Sequence, residues 1–236
     1  MTASAELPKP SGLARLPVRS MAITAGGYAW QVDAVVDQAA LLTAAEDFEV
    51  FPFGLMLWEA AIGLSDHLAE RCARLLAQRS VLEIGAGVGL AGLVAARLGA
   101  RVVQTDHSAE ALALCRRNAA RNAIVGVTQR RADWLAWPDD LVGFDVLLGS
   151  DVLYDPPQHA AVLAIAVVSL APGGTLILSD PSRAGTDAFV ARLADTGFRV
   201  TETVRPIPAL HPTQAGQVVG VRVIEAQAPA IPHGGG

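Results

Sequence analysis

From Ser80 onward the chain alternates short apolar runs with amphipathic stretches, and this limits the fold more than any other feature. Strands buried on both faces read as brief continuous apolar runs. The segments between them repeat at the helical period, so the pair of patterns specifies a parallel sheet covered by helices on both sides. The alternation predicts strands at Val81–Ile84, Arg101–Thr105, Val125–Arg131, Phe144–Leu148 and Thr175–Leu178. It predicts helices at Val88–Leu98, from Ser108 to Asn122, from Pro156-Pro157 to the Pro172-Gly173-Gly174 break, and at Thr186–Thr196. Ser108 has the chemistry of an N-cap with Glu110 in the first turn, and Gly197 that of a C-cap.

After Gly197 the pattern changes. Phe198–Val204 and Val218–Ile224 read as strands, and the Pro-rich loop Pro206–Gly216 between them is too short for a crossover helix. They are expected to form an antiparallel hairpin at one sheet edge. The fold class is therefore α/β, a Rossmann-like sheet of seven strands, mostly parallel, closed by that hairpin. Upstream, Gly26-Gly27 divides two β-like stretches within Met21–Val32, the pattern of a small hairpin, and a helix is expected over Leu55–Leu76. Residues 1–19, rich in Ala, Ser, Pro and Leu, read as a disordered leader, and 227–236 as a flexible tail. The domain then spans 20–226, with hairpin and helix in 20–79 and the core in 80–226.

Composition excludes several classes. The longest apolar run, Ala160–Ala171, is about half the roughly 20 residues of a membrane span, and the N-terminus lacks the pattern of a secretory signal. Cys72 and Cys115 form no CxxC and suit free thiols in a reducing cytoplasm. The five histidines show no ligand spacing, so no metal is expected. A net charge of −5 argues against a nucleic-acid partner. The pairs Arg116-Arg117 and Arg130-Arg131 read better as a solvated helix face and an exposed strand end. A monomer is expected.

The chemistry centres on "VLEIGAGVGL", Val81–Leu90. A strand, a glycine turn and a helix together aim backbone N–H groups and a helix N-terminus at a ligand, a device shared by NAD, FAD and S-adenosylmethionine sites. The spacing Gly85-x-Gly87-x-Gly89 departs from the dinucleotide fingerprint, which needs a glycine where Leu90 stands. Glu83, two residues before the first glycine, would repel a pyrophosphate. S-adenosyl-L-methionine instead carries a sulfonium and an ammonium. One opposite charge at about 4 Å and an effective dielectric near 20 contributes on the order of 4 kcal/mol. Glu83 is thus expected to face the cofactor, the alternative being an acid that caps local amides. Asp106 ends the second strand about 20 residues after the glycines, where an acid accepts hydrogen bonds from a ribose. The alternative for Asp106 is a helix-capping turn.

From about Phe51 to Asp155 the chain resembles the seven-β-strand protein-lysine methyltransferases of family 16, the nicotinamide N-methyltransferase-like group. The resemblance rests on "FPFGLMLWEAAIGLSDHL", "VLEIGAGVGLAGLVAARLGA", "VVQTDHSAEALALCRRNAARN", "ADWLAW" and "LLGSDVLY", in family order. Five parallel units closed by a hairpin are also the class I methyltransferase arrangement. The resemblance implies an S-adenosylmethionine-dependent enzyme acting on a protein lysine. A small amine or heterocycle is the alternative acceptor, and a non-catalytic nucleotide-binding module a second alternative. It implies a cofactor pocket of Trp58, Gly85, Ala86, Gly87, Asp106, Asp133, Trp134 and Ser150, to which the residue reading adds Glu83 and Gly89. Trp134 offers a ring for adenine and Asp133 an acceptor for its amine. Trp58 could equally be a core residue. Glu59 stands where family members often carry proline.

Asp151 and Tyr154 follow the fourth strand, where open α/β sheets place ligands, and are expected to be catalytic. If a helical turn begins there, their spacing puts both on one side. Asp151 then accepts from an incoming amine and Tyr154 walls the channel. The alternative is a helix cap with a packed ring. A carboxylate also favours the protonated amine, at a cost in nucleophile supply. Arg183, in "SDPSR" on the same rim, suits an acidic substrate group or a helix end equally.

Overall fold

The computed structural model describes residues 12–44, 48 and 51–230. The N-terminal hairpin pairs β1 (Val18–Ala25) with β2 (Tyr28–Val35), in register from Val18 opposite Val35 to Ala25 opposite Tyr28. Gly26 and Gly27, at φ +58° and +75°, supply the two left-handed residues of a tight hairpin turn. The hairpin begins two residues before the expected domain start. A 3-10 turn at Gly12–Arg15 and the buried Leu16 also fall inside the expected leader. Apolar contact with the core orders this stretch, so residues 12–19 do not form part of a disordered leader; residues 1–11 lie outside the described residues.

A short helix α1 (Gln38–Thr43) is capped by Asp37, whose carboxylate accepts from the Ala39 and Ala40 amides. The helix expected over Leu55–Leu76 is divided. A 3-10 turn at Phe53–Leu55 precedes an extended Trp58, α2 runs Glu59–His67, a π turn follows at Leu68–Cys72, and α3 closes at Ala73–Leu76.

The sheet carries β3 (Ser80–Glu83), β4 (Arg101–Asp106), β5 (Val127–Arg131), β6 (Phe144–Ser150), β7 (Leu170–Asp180), β8 (Arg199–Pro208) and β9 (Val218–Gln227). The intervening helices are α4 (Leu90–Arg97), α5 (Ala109–Arg121), α6 (His159–Ser169) and α7 (Thr186–Asp195). The order is β5-β4-β3-β6-β7-β9-β8; β3 to β7 pair in parallel and β9 is antiparallel to both β7 and β8. The expected hairpin therefore exists, with β9 inserted inside β8. β8 runs past Pro206 to Pro208, shortening the expected loop, because an edge strand can accept residues without an amide proton. α6 stops at Ser169, and Pro172-Gly173-Gly174 lies within β7 across a register shift against β6. The tail is partly fixed: the Gly173 amide donates to the Pro229 carbonyl and the Ala228 amide to that of Gly174. Residues 231–236 lie outside the described residues.

Alternate residues of each strand feed two cores. Val81, Val146, Leu148, Ile177 and Val223 meet α2, α4 and the hairpin. Leu82, Leu147, Leu176, Leu178 and Ile224 meet α6 and α7. The hairpin is clamped by polar contacts. The buried Asp33 pairs with Arg117 (2.9 Å) and Arg121 (3.1 Å), and Asn118 accepts from the Asp33 amide at 2.7 Å. Arg130 pairs with Asp140 at 2.6 Å. Arg131 Nε donates to the His107 carbonyl at 2.7 Å, so Arg117 and both Arg130 and Arg131 are engaged within the fold. Strand order reverses between β3 and β6, the crevice where such sheets bind ligands.

Candidate active site

A cavity of about 840 Å³ opens over the carboxyl ends of β3, β4 and β6, within the size range of small-molecule sites. Of the twelve residues singled out in the sequence, ten line it: Trp58, Gly85, Ala86, Gly87, Asp106, Asp133, Trp134, Ser150, Asp151 and Tyr154. Glu83 and Gly89 do not.

Glu83 is a correction. Its side chain points into the protein, where the Gly92 amide donates to Oε1 at 3.0 Å and Gln104 Nε2 donates to Oε2 at 2.7 Å. Burial pushes its carboxyl up to about 7, against those two hydrogen bonds, which favour the ionised form. The acid thus ties β3 to α4 and β4, its alternative role, and its charge does not face the cavity. Gly89 is the second correction. A Cβ there would approach Gln104 Nε2 to 2.7 Å and Cys115 Sγ to 2.9 Å, so this glycine serves helix packing. Gly87 is held differently. At φ +56°, a Cβ on it would lie 3.0 Å from the Gly54 carbonyl oxygen, so the turn packs against the Phe53–Leu55 segment.

Asp106 is buried at the end of β4. Its Oδ2 accepts from the Gly87 amide at 3.0 Å and its Oδ1 from the Ser108 amide at 2.9 Å. Burial raises its carboxyl pKa, while the amides of Ser108 and Gly87 pull it down. Each oxygen keeps acceptor capacity toward the cavity, the acceptor pair that the two hydroxyl donors of a ribose diol need. Ser108 caps α5, donated to by the Ala111 amide, so Asp106 itself is no cap. The Trp134 ring lies against Gly85, within 3.1 Å of where its Cβ would stand. Asp133 is exposed, its Oδ1 accepting from the Leu135 amide at 2.9 Å. Trp58 is the extended residue before α2, and its indole donates to the Phe53 carbonyl at 3.1 Å.

At the other end, Asp151 sits at φ +53°, in the left-handed region, with its amide donating to the Ser179 carbonyl. Such backbone strain in a non-glycine residue clusters at functional sites. No helical turn begins here: the next one starts at Pro156, so helical spacing does not align Asp151 with Tyr154, and Asp151 caps nothing. Asp151 is bound by Arg183 in a fork, Nε to Oδ1 at 2.5 Å and Nη2 to Oδ2 at 2.7 Å. Arg183 therefore meets an acid of its own chain. The Tyr154 ring stands 5.7 Å from that of Phe53. Burial and the acids Asp155, Asp106 and Asp151 raise its phenol pKa, keeping it neutral.

The lining contributed by Phe51, Phe53 and Gly54 was not singled out from the sequence. The signal present was "FPFG", apolar residues flanking a proline ahead of the helix. Likewise the spacing of His67, Cys72 and Glu225 gives no hint that α2, the π turn after it and β9 bring them together. Glu225 accepts from His67 Nε2 at 2.9 Å and weakly from the Cys72 thiol, and burial raises that thiol to about 12.

Set against known proteins, the model of the lysine methyltransferase family matches residues 37–187. The chain belongs to this family. Among curated relatives, the histone-arginine methyltransferase METTL23 of Xenopus laevis is 39% identical over 116 residues, 47% of this chain and 49% of that one. The protein N-lysine methyltransferase METTL21A of Xenopus tropicalis is 33% identical over 112 residues, 46% and 52% of the two chains. The EEF1A lysine methyltransferase 3 of Mus musculus is 31% identical over 150 residues, 61% and 63%. The chain spans about half the length of the first of these relatives. The family fold is also that of the magnesium protoporphyrin IX methyltransferase of Synechocystis PCC 6803, solved with bound SAM (TM-score 0.55, 20% identity, 72% and 80% of the two chains). A putative RNA methyltransferase of Pyrococcus horikoshii shares it as well (TM-score 0.54, 15% identity, 72% and 83%).

Proposed function

We propose that this chain is an S-adenosylmethionine-dependent methyltransferase whose acceptor is a lysine amine of a protein. The observation that carries the reading is one continuous cavity, with a ribose-accepting Asp106 at one end and a carboxylate, Asp151, aimed at an acceptor at the other. Family membership supports it. The residues suit the cofactor: Asp106 accepts from ribose hydroxyls, Trp134 stacks on adenine, Asp133 accepts from its amine and the glycine turn lets the chain approach closely.

When bound, S-adenosylmethionine supplies an electrophilic methyl on a sulfonium, and the departing thioether is neutral and needs no proton. The chain's task is then to place a neutral amine in line, which by positioning alone lowers a barrier by roughly 7–11 kcal/mol. Asp151 accepts one hydrogen bond from the amine, and the rings of Tyr154 and Phe53 narrow the entrance. The names of the relatives divide between arginine and lysine acceptors. Lysine is favoured here because Arg183 already engages both Asp151 oxygens. A one-point donor fits the remaining lone pairs, whereas a guanidinium fork needs both oxygens free.

Among the described residues no helix is long and apolar enough to cross a membrane. A cytoplasmic setting belongs to the same proposal, on two buried, unpaired thiols. The test is tritiated S-adenosylmethionine with a cell lysate, separated into protein and small molecules. Label on protein lysine supports the reading, label on small amines alone replaces the acceptor, and tighter binding of NADH than of S-adenosylmethionine by calorimetry ends it.

A further inference from the structure

We infer that Arg183 is a positioning residue that sets the charge of the acceptor position. Its fork leaves Asp151 able to accept a hydrogen bond from an amine, yet cancels the negative charge that would keep that amine protonated. The inference rests on the reading of Asp151 given above, and it deepens it.

The difficulty it answers is chemical. A lysine amine has an ordinary pKa of about 10.4 and attacks a methyl only through its free lone pair. A lone carboxylate beside it stabilises the ammonium form and raises that pKa further. Such a site would bind the acceptor well and hold it unreactive. In this structure Asp151 is not alone. Ser150 and Ser179 are register partners on β6 and β7, so the loops that follow carry Asp151 and Arg183 to the same rim. The Asp151 side chain is 9% exposed and that of Arg183 37%.

The backbone that carries Arg183 is anchored as well. The Arg183 amide donates to Asp180 Oδ1 at 2.8 Å, and the buried Asp180 Oδ2 has no hydrogen-bond partner among the described residues. The charged groups facing this end are Asp151, Asp155, Asp180 and, at longer range, Asp106, with Tyr154 neutral. Arg183 is the cation set among them. His107, Glu110, Arg131 and Asp133 line the cavity on the β4–β5 side, around the cofactor position. Removing the Arg183 charge therefore leaves the acceptor end negative. A cation then binds more tightly and keeps its proton longer.

A merely structural ion pair would tie the two loops and nothing more, and the two roles separate by experiment. The probe is n-butylamine, a lysine side-chain mimic, bound to protein saturated with S-adenosylhomocysteine. Its affinity is measured from pH 6 to 10 for the wild type, Arg183→Gln and Arg183→Lys. Arg183→Gln is expected to bind butylammonium about tenfold more tightly at pH 7, with the bound amine titrating at higher pH, while Arg183→Lys stays near the wild type. In turnover on the methylated protein, Arg183→Gln lowers KM and kcat together and moves the acid limb of the kcat profile to higher pH. Equal or weaker butylammonium binding by Arg183→Gln overturns the inference. So do binding by neither protein, Arg183→Lys behaving like Arg183→Gln, or lost S-adenosylhomocysteine affinity in Arg183→Gln, which marks a structural pair. Failure of the wild type to transfer methyl overturns the functional reading instead, and leaves the butylammonium comparison standing.

Discussion

The two ends of the cavity are built by different means. At the cofactor end the backbone does most of the work. Asp106 is fixed by two amides, the Gly85–Gly89 turn is locked between Trp134 and Gly54, and the acid nearest the glycines, Glu83, faces inward. At the proposed acceptor end side chains do it: the Asp151–Arg183 fork, and the paired rings of Tyr154 and Phe53, 39% and 41% exposed. A pocket for one invariant cofactor can be rigid and made of main chain. An entrance for an acceptor must open and discriminate, which half-exposed side chains allow at small cost.

The sharpest attack on that comparison is at Asp151. Asn tolerates a left-handed backbone, so Asp151→Asn removes charge without forcing the turn. It should slow single-turnover methylation about a thousandfold, ~4 kcal/mol in the transition state, with S-adenosylmethionine affinity within about twofold. A large loss of cofactor affinity would merge the two ends into one unit.

Next comes Glu83, which separates fold from ligand binding inside the cofactor end. Its folded pKa, near 7, lies above its ordinary value of 4.5. Between those values the folded state holds a proton that the unfolded chain has released. This contribution to stability is therefore complete below about pH 4.5 and is lost as pH rises to about 7, by about 3 kcal/mol. Denaturant unfolding of Glu83→Gln should lack that decline, while cofactor affinity changes by about twofold or less. A tenfold loss of affinity in folded Glu83→Gln would restore the acid to the binding site.

Asp106→Ala should weaken S-adenosylmethionine binding by roughly 1.5–3 kcal/mol, the range for charged hydrogen bonds, with turnover recovering at saturating cofactor. Calorimetry beside kcat checks it, and unchanged affinity would remove Asp106 from the ribose. The smallest effect is expected from Tyr154→Phe, which keeps the ring against Phe53. A fall in kcat beyond about threefold would show that the hydroxyl, rather than the wall, meets the acceptor.

The sequence by itself determined the alternation of strands and helices, the glycine turn, the acids at the ends of β3, β4 and β6, and the C-terminal hairpin. These are local: each is a pattern over a few residues, with a period or a turn chemistry behind it. Tertiary structure decided which way each acid faces. Glu83 and Asp106 end neighbouring parallel strands, yet one turns to the Gly92 amide and the other to the cavity. Spacing along a strand gives a face of the sheet, and packing of the next helix decides what occupies it. The fork between Asp151 and Arg183 joins residues 32 positions apart, and the Phe53 turn meets Gly87 from another part of the chain. Such contacts depend on strand order and loop path, which no short window of sequence contains, and that is why the Asp151–Arg183 fork at the proposed acceptor end is legible only in three dimensions.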